Sequence, residues 1–83
     1  MIRILIVDDH ASIRDSFRSA FEQYDDLKVV GSVADAAFAL FFCRDKQPDL
    51  VLMDICTAGG ISGLAATEKI KEAFPAIKVV VMT

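Results

Sequence analysis

The chain has 83 residues, enough for one domain, and its 54% hydrophobic content predicts a packed core and excludes disorder. A net charge of −3, with nine basic residues scattered along the chain, argues against a nucleic-acid surface, which needs clustered Lys and Arg. The longest apolar run, Ala36 to Cys43, is too short to span a bilayer, and Met1-Ile2-Arg3-Ile4 carries no signal-peptide pattern.

Ile2-Arg3-Ile4-Leu5-Ile6-Val7 is β-branched and apolar and ends in Asp8-Asp9, which predicts a buried strand with carboxylates at its C-terminal end. From Ala11 the period becomes helical. Ile13, Phe17, Ala20, Phe21 and Tyr24 share one side, Arg14, Asp15, Arg18 and Glu22 the other, and Asp9 or Ser12 is a candidate N-cap. Asp25-Asp26 breaks the pattern. Leu27 to Val33 follows as a strand whose Lys28, Gly31 and Ser32 suit a sheet edge. Asp35 can cap the next helix, which runs to about Arg44 through Phe38, Ala39, Leu40, Phe41 and Phe42, a stripe of the kind that is usually core.

Pro48-Asp49-Leu50-Val51-Leu52-Met53-Asp54 is an unbroken apolar run into a carboxylate, closed by the glycine-rich Thr57-Ala58-Gly59-Gly60-Ile61-Ser62-Gly63. It reads as a strand buried on both faces. Ser62 or Gly63 opens a third helix with Leu64, Thr67, Ile70 and Phe74 inward, and Pro75 ends it. Ile77 to Thr83 is the fourth strand. Strands alternating with helices imply a parallel sheet with right-handed crossovers and helices on both faces. Cys43 and Cys56 form no metal-spacing motif and read as reduced cytosolic thiols, so a soluble cytoplasmic α/β domain is expected.

Asp8, Asp9 and Asp54 stand at the C-terminal ends of strands expected to be neighbours, where ligands of such sheets bind. Taken singly, the Asp pair reads as an N-cap and Asp54 as a stabiliser of the following turn. Together they are three like charges in one cleft, which calls for a cation among them. Oxygen-only ligation with few carboxylates suits Mg²⁺, which keeps several waters and shares its shell with phosphate. A carboxylate beside such an ion can act as a nucleophile on phosphorus. Thr83 ends the fourth strand at the same edge; alone it is an ordinary strand-terminal threonine. His10, the single histidine, follows the acidic pair and could touch the cleft, but it reads first as a solvent-facing loop residue. Cys56 has no basic neighbour to lower its pKa, which argues against thiol catalysis.

Here the sequence resembles the receiver domain of two-component response regulators, and the resemblance covers the whole chain. Ile4 to His10 is similar to that family's first strand and acidic pair, and Pro48 to Ile55 to its phosphoacceptor strand. Ser62-Gly63-Leu64 resembles the start of its third helix, and Val79 to Thr83 its fourth strand. The resemblance implies a flavodoxin-like doubly wound sheet of strand order 2-1-3-4. It implies that Asp54 accepts a phosphoryl group from a histidine kinase and that Asp8, Asp9, Asp54 and the main-chain carbonyl of Cys56 hold Mg²⁺. Thr83 would bond the phosphoryl group and act as the switch. Asp-Asp-His is similar to regulators whose receiver precedes a helix-turn-helix DNA-binding domain, so this fragment itself is expected to contact neither DNA nor membrane.

Thr57-Ala58 stand where the family usually has Met-Pro. A complete receiver also carries a further helix, a fifth strand ending in lysine and a last helix, and Lys78 lies at the wrong end of the sheet to replace that lysine. Residues 1–83 are therefore expected to be a single truncated receiver. Its fourth strand or first helix would be open to homodimerisation or higher association. The expected role is a phosphoacceptor switch, not a turnover enzyme. The alternative is a phosphorylation-incompetent fragment acting only through dimerisation or kinase binding. A small Mg²⁺-dependent phosphatase ranks last, because Cys56 stands where that chemistry usually wants a second carboxylate.

Overall fold

A computed structural model describes residues 1–55 and 62–82. In chain order they form β1 (Ile2–Val7), α1 (Ala11–Glu22), β2 (Leu27–Val33), a 3₁₀ turn (Ala36–Phe38), α2 (Ala39–Lys46), β3 (Leu50–Asp54), α3 (Gly63–Ala73) and β4 (Lys78–Met82). The four strands make one sheet in the order β2-β1-β3-β4, with every pair parallel. The expected fold class and strand order are both present.

β1 is the strand buried on both faces: Ile4 is 3% exposed, and Leu5, Ile6 and Val7 are fully buried. Leu5 and Val7 join Val51 and Met53 under α2 and α3, with Ala39, Cys43, Ala66 and Ile70 closing the core from above. The opposite face of the sheet is covered by α1 over β1 and β2. That coverage explains a departure at β3. Val51 and Met53 are buried, but Leu50 and Leu52 on the other face are only half-buried, because α1 leans toward β2.

Other expectations shift by a residue or a face. α1 opens on His10, not Asp9 or Ser12, and His10 supplies no side-chain cap. None of the α1 side chains is fully buried, and Tyr24 lies past the helix end, exposed. Phe17 and Phe21 stack on each other with ring centroids 5.8 Å apart. The phenylalanine stripe of the second helix splits. Phe42 packs against the core, while Phe38 and Phe41 are 58% and 60% exposed. The reason is the 3₁₀ turn at Ala36–Phe38, which changes the winding ahead of α2 so that Ala36, Ala39 and Cys43 take the inward positions. In α3 the inward stripe is Gly63, Ala66 and Ile70, and Leu64, one position off it, is exposed.

The polar ends of the elements are closed as the sequence suggests. Asp35 Oδ1 accepts from Ala37 N at 2.9 Å, and Ser62 Oγ accepts from Ala65 N at 3.1 Å to cap α3. At the amino-terminal edge Asp49 ties three strands together. Its Oδ2 accepts from Arg3 N at 2.9 Å, its N donates to Arg3 O at 2.8 Å, and its O accepts from Lys78 N at 3.0 Å. Among the described residues no helix is long and apolar enough to cross a membrane.

Candidate functional site

Val7 at the end of β1 pairs with Met53 of β3, so the residues that follow, Asp8 and Asp54, emerge side by side at the carboxyl edge of the sheet. This is the edge at which parallel α/β sheets bind ligands. Asp9 and His10 come next, before α1 turns the chain away.

Asp8 is held from several directions. Its N donates to Val33 O at 3.0 Å and its main-chain O accepts from Arg14 Nη1 at 2.6 Å. Its Oδ1 accepts from His10 N at 2.8 Å, and its side chain is 7% exposed. Asp9 is different. Its Oδ1 is buried and makes no hydrogen bond among the described residues. His10 Nδ1 lies 3.0 Å from that atom and 3.0 Å from Asp8 Oδ1. The hydrogen bond to Asp8, with the negative charge of Asp9 and then of Asp8, pushes the His10 pKa above its ordinary 6.5. His10 is thus exposed, as expected, yet it also reaches the cleft.

Asp54 is half-buried at the end of β3, and the next residue is tied to the neighbouring strand by Ile55 N donating to Met82 O at 3.3 Å. α3 then approaches very closely. Gly63 N donates to Ile55 O at 3.1 Å, and a Cβ on Gly63 would fall 2.2 Å from the Asp54 carbonyl oxygen. Glycine is required there because helix and strand backbones touch.

One ligand atom from each of Asp8, Asp9, His10 and Asp54 lies within 4.8 Å of all the others. The donor set is mostly hard carboxylate oxygen, and the buried Asp9 Oδ1 has only the ion-pair contact with His10 and accepts no hydrogen bond among the described residues. Both features fit a divalent cation such as Mg²⁺. Of the residues singled out in the sequence, Asp8, Asp9 and Asp54 are brought together; Cys56, Thr83 and the Thr57-Ala58 loop positions lie outside the described residues. Two contributors were not expected from the sequence, the clamp by Arg14 and the contact at Gly63, and His10 takes up the less favoured of its two readings by reaching the cleft. For Arg14 the signal was a basic residue one turn into a helix that follows an acidic pair.

A second concavity, of about 400 Å³, opens at the opposite edge and is lined by Cys43, Gln47, Pro48, Phe74 and Ile77 among others. It shares no residue with the carboxylate cluster. Burial pushes the Cys43 thiol there up to about 11, leaving it a poor nucleophile.

Comparison with known proteins places this geometry. The family described as the response regulator receiver domain matches residues 4–83. The chain is 40% identical over 82 residues to the oxygen regulatory protein NreC of Staphylococcus carnosus, covering 99% of this chain and 38% of that protein. The chain thus spans well under half the length of the curated relatives it matches. Among solved structures, the response regulator domain of Thermotoga maritima CheB superposes with a TM-score of 0.90 at 31% identity, over 98% of this chain and 59% of that one. A LuxR-family two-component response regulator from Aurantimonas sp. SI85-9A1 superposes with a TM-score of 0.89 at 33% identity, over 98% and 57%.

Proposed function

This chain belongs to the response regulator receiver domain family, and on that premise we propose that it is a phosphoacceptor module in which Asp54 takes a phosphoryl group from a histidine kinase. The observation that carries the reading is the convergence of Asp8, Asp9 and Asp54 on one point at the carboxyl edge of the sheet.

In this reading Asp54 supplies the nucleophile. One carboxylate oxygen attacks the phosphorus of a phosphohistidine, the P–N bond breaks, and the imidazole leaves with the electron pair. The product is a mixed carboxylic–phosphoric anhydride on Asp54. Asp8 and Asp9 would hold Mg²⁺ together with Asp54, and the main-chain carbonyl of Cys56 would complete the protein's share of the ligands. When bound, Mg²⁺ offsets the clustered negative charge and that of the incoming phosphoryl oxygens. Asp8 has the fixed position such a ligand needs, through Val33, His10 and Arg14. Thr83 is assigned the hydrogen bond that reports phosphorylation.

Receiver domains are signalling domains, and the role proposed here is a switch in the cytoplasm, not turnover. NreC is named an oxygen regulatory protein and one structural relative is a LuxR-family regulator. These relatives support a whole protein that is a transcription regulator, and the helix-turn-helix effector domain is proposed from the likeness of Asp8-Asp9-His10 to such regulators.

Backbone amide shifts test the reading. Mg²⁺ with beryllofluoride, a phosphoryl mimic, should move the amides of Asp8, Asp9 and Ile55 and leave those around Asp49 in place. Shifts absent from the carboxyl edge at saturating concentrations of both would contradict it.

A further inference from the structure

We propose that His10 sets which divalent ion the carboxylate cleft prefers, its Nδ1 joining Asp8, Asp9 and Asp54 as a nitrogen ligand for Zn²⁺ while contributing nothing toward Mg²⁺. The inference rests on the reading of the cleft as a cation site and adds a selectivity to it.

His10 Nδ1 lies 3.0 Å from Asp8 Oδ1 and 3.0 Å from Asp9 Oδ1. Tetrahedral ligands of one ion with bonds of about 2.0–2.1 Å are about 3.3–3.4 Å apart, so an Nδ1 that gives up its hydrogen bond to Asp8 stands within a few tenths of an ångström of a ligand's spacing from both carboxylates. The main chain of His10 is pinned there: its N donates to Asp8 Oδ1, and its O accepts from Ile13 N and Arg14 N, both at 3.1 Å. Its ring is 66% exposed, so the contacts that fix it are those of Nδ1 with the two carboxylates.

Donor chemistry then separates the two ions. Mg²⁺ takes oxygen ligands and keeps waters, so an imidazole offers it nothing that a water does not. Zn²⁺ accepts mixed imidazole and carboxylate sets, and one His with three Asp gives the four protein ligands it commonly takes. A residue that hydrogen-bonds Asp8 and pairs by charge with Asp9 also competes with an ion that it does not ligate. His10 therefore acts in opposite directions on the two: it strengthens Zn²⁺ binding and leaves Mg²⁺ binding unchanged or weaker.

The test uses calorimetric titration of the full chain with Mg²⁺ alone and with Zn²⁺ alone, at pH 8, for the wild type and for His10→Ala. Because His10 is the single histidine of the chain, its imidazole ¹⁵N resonances can be read without assignment ambiguity. The expected result is a loss of about tenfold or more in Zn²⁺ affinity for His10→Ala, the scale seen when support of a metal site is removed. Mg²⁺ affinity should stay the same or rise, and Nδ1 of the wild type should shift with Zn²⁺ but not as a ligand with Mg²⁺. Equal losses for both ions, or an Nδ1 resonance unmoved by bound Zn²⁺, would overturn the role of His10 and leave the cation site standing. Failure of the wild type to bind either ion would overturn both. His10→Asn serves as a second variant, keeping a polar side chain at the helix start if alanine disturbs it.

Discussion

Gly63→Ala should damage both the fold and the chemistry at Asp54. An ideal Cβ on Gly63 falls 2.2 Å from the Asp54 carbonyl oxygen, 2.5 Å from Ile55 Cα and 2.9 Å from the Asp54 carbonyl carbon. All three are backbone atoms, so no side-chain rotation relieves the clash. Moving that methyl group from 2.2 Å out to the shortest tolerable contact of 3.0 Å requires a displacement of at least 0.8 Å between α3 and the end of β3. Overpacking of this kind costs about 1–3 kcal/mol, which should lower the urea midpoint measurably. The same displacement moves the peptide that carries the proposed nucleophile, and misplacement of about 1 Å costs on the order of 10²-fold in rate. The assay is phosphoryl incorporation from a small acyl-phosphate donor at saturating Mg²⁺, under conditions where the variant remains folded. An unchanged midpoint together with an unchanged rate would refute the close-contact argument.

Three further outcomes follow from separate parts of the molecule. Asp49→Ala removes the hydrogen bond from Arg3 N at the amino-terminal edge; it should cost about 1 kcal/mol by urea denaturation and leave phosphorylation rates unaltered. β4 pairs with β3 on one side and exposes Val80 by 46%, so the 83-residue chain should self-associate with rising concentration in sedimentation, and Val80→Lys should shift it toward the 9.1 kDa monomer. In the ion-free protein His10 has a folded pKa above 6.5, so its contribution to stability is full below pH 6.5 and is lost as pH rises through the folded value. The wild type should therefore exceed His10→Ala in stability at pH 5.5, the difference should vanish at high pH, and added Mg²⁺ should lower the His10 pKa.

Much of the fold was legible because its signals are local. The runs Ile2–Val7 and Leu50–Asp54 announce buried strands, the spacing of Ile13, Phe17 and Phe21 announces a helix, and alternation of the two types dictates a parallel sheet. Side-chain burial was less legible where it depends on winding or on coverage by another element. Phe38 and Phe41 satisfy a helical stripe on paper, yet a single 3₁₀ turn rotates the stripe and gives the inward positions to Ala39 and Cys43. Leu52 looks as buried as Val51, but α1 does not cover its side of β3.

The carboxylates of the site were legible for the same reason as the strands, since each ends an apolar run. What joins them was not. The Arg14 clamp on the Asp8 carbonyl, the reach of His10 to two carboxylates and the backbone contact at Gly63 are distances between elements, and no sequence spacing encodes them.

Asp54 as the phosphoacceptor is open to a direct test. Intact-mass spectrometry after incubation with Mg²⁺ and a small acyl-phosphate donor tests it most directly, with Asp54→Asn as the control. The wild type should gain one phosphoryl group, dependent on Mg²⁺, and Asp54→Asn should gain none. A folded wild type that gains nothing, or an Asp54→Asn variant that gains the same mass, would contradict it.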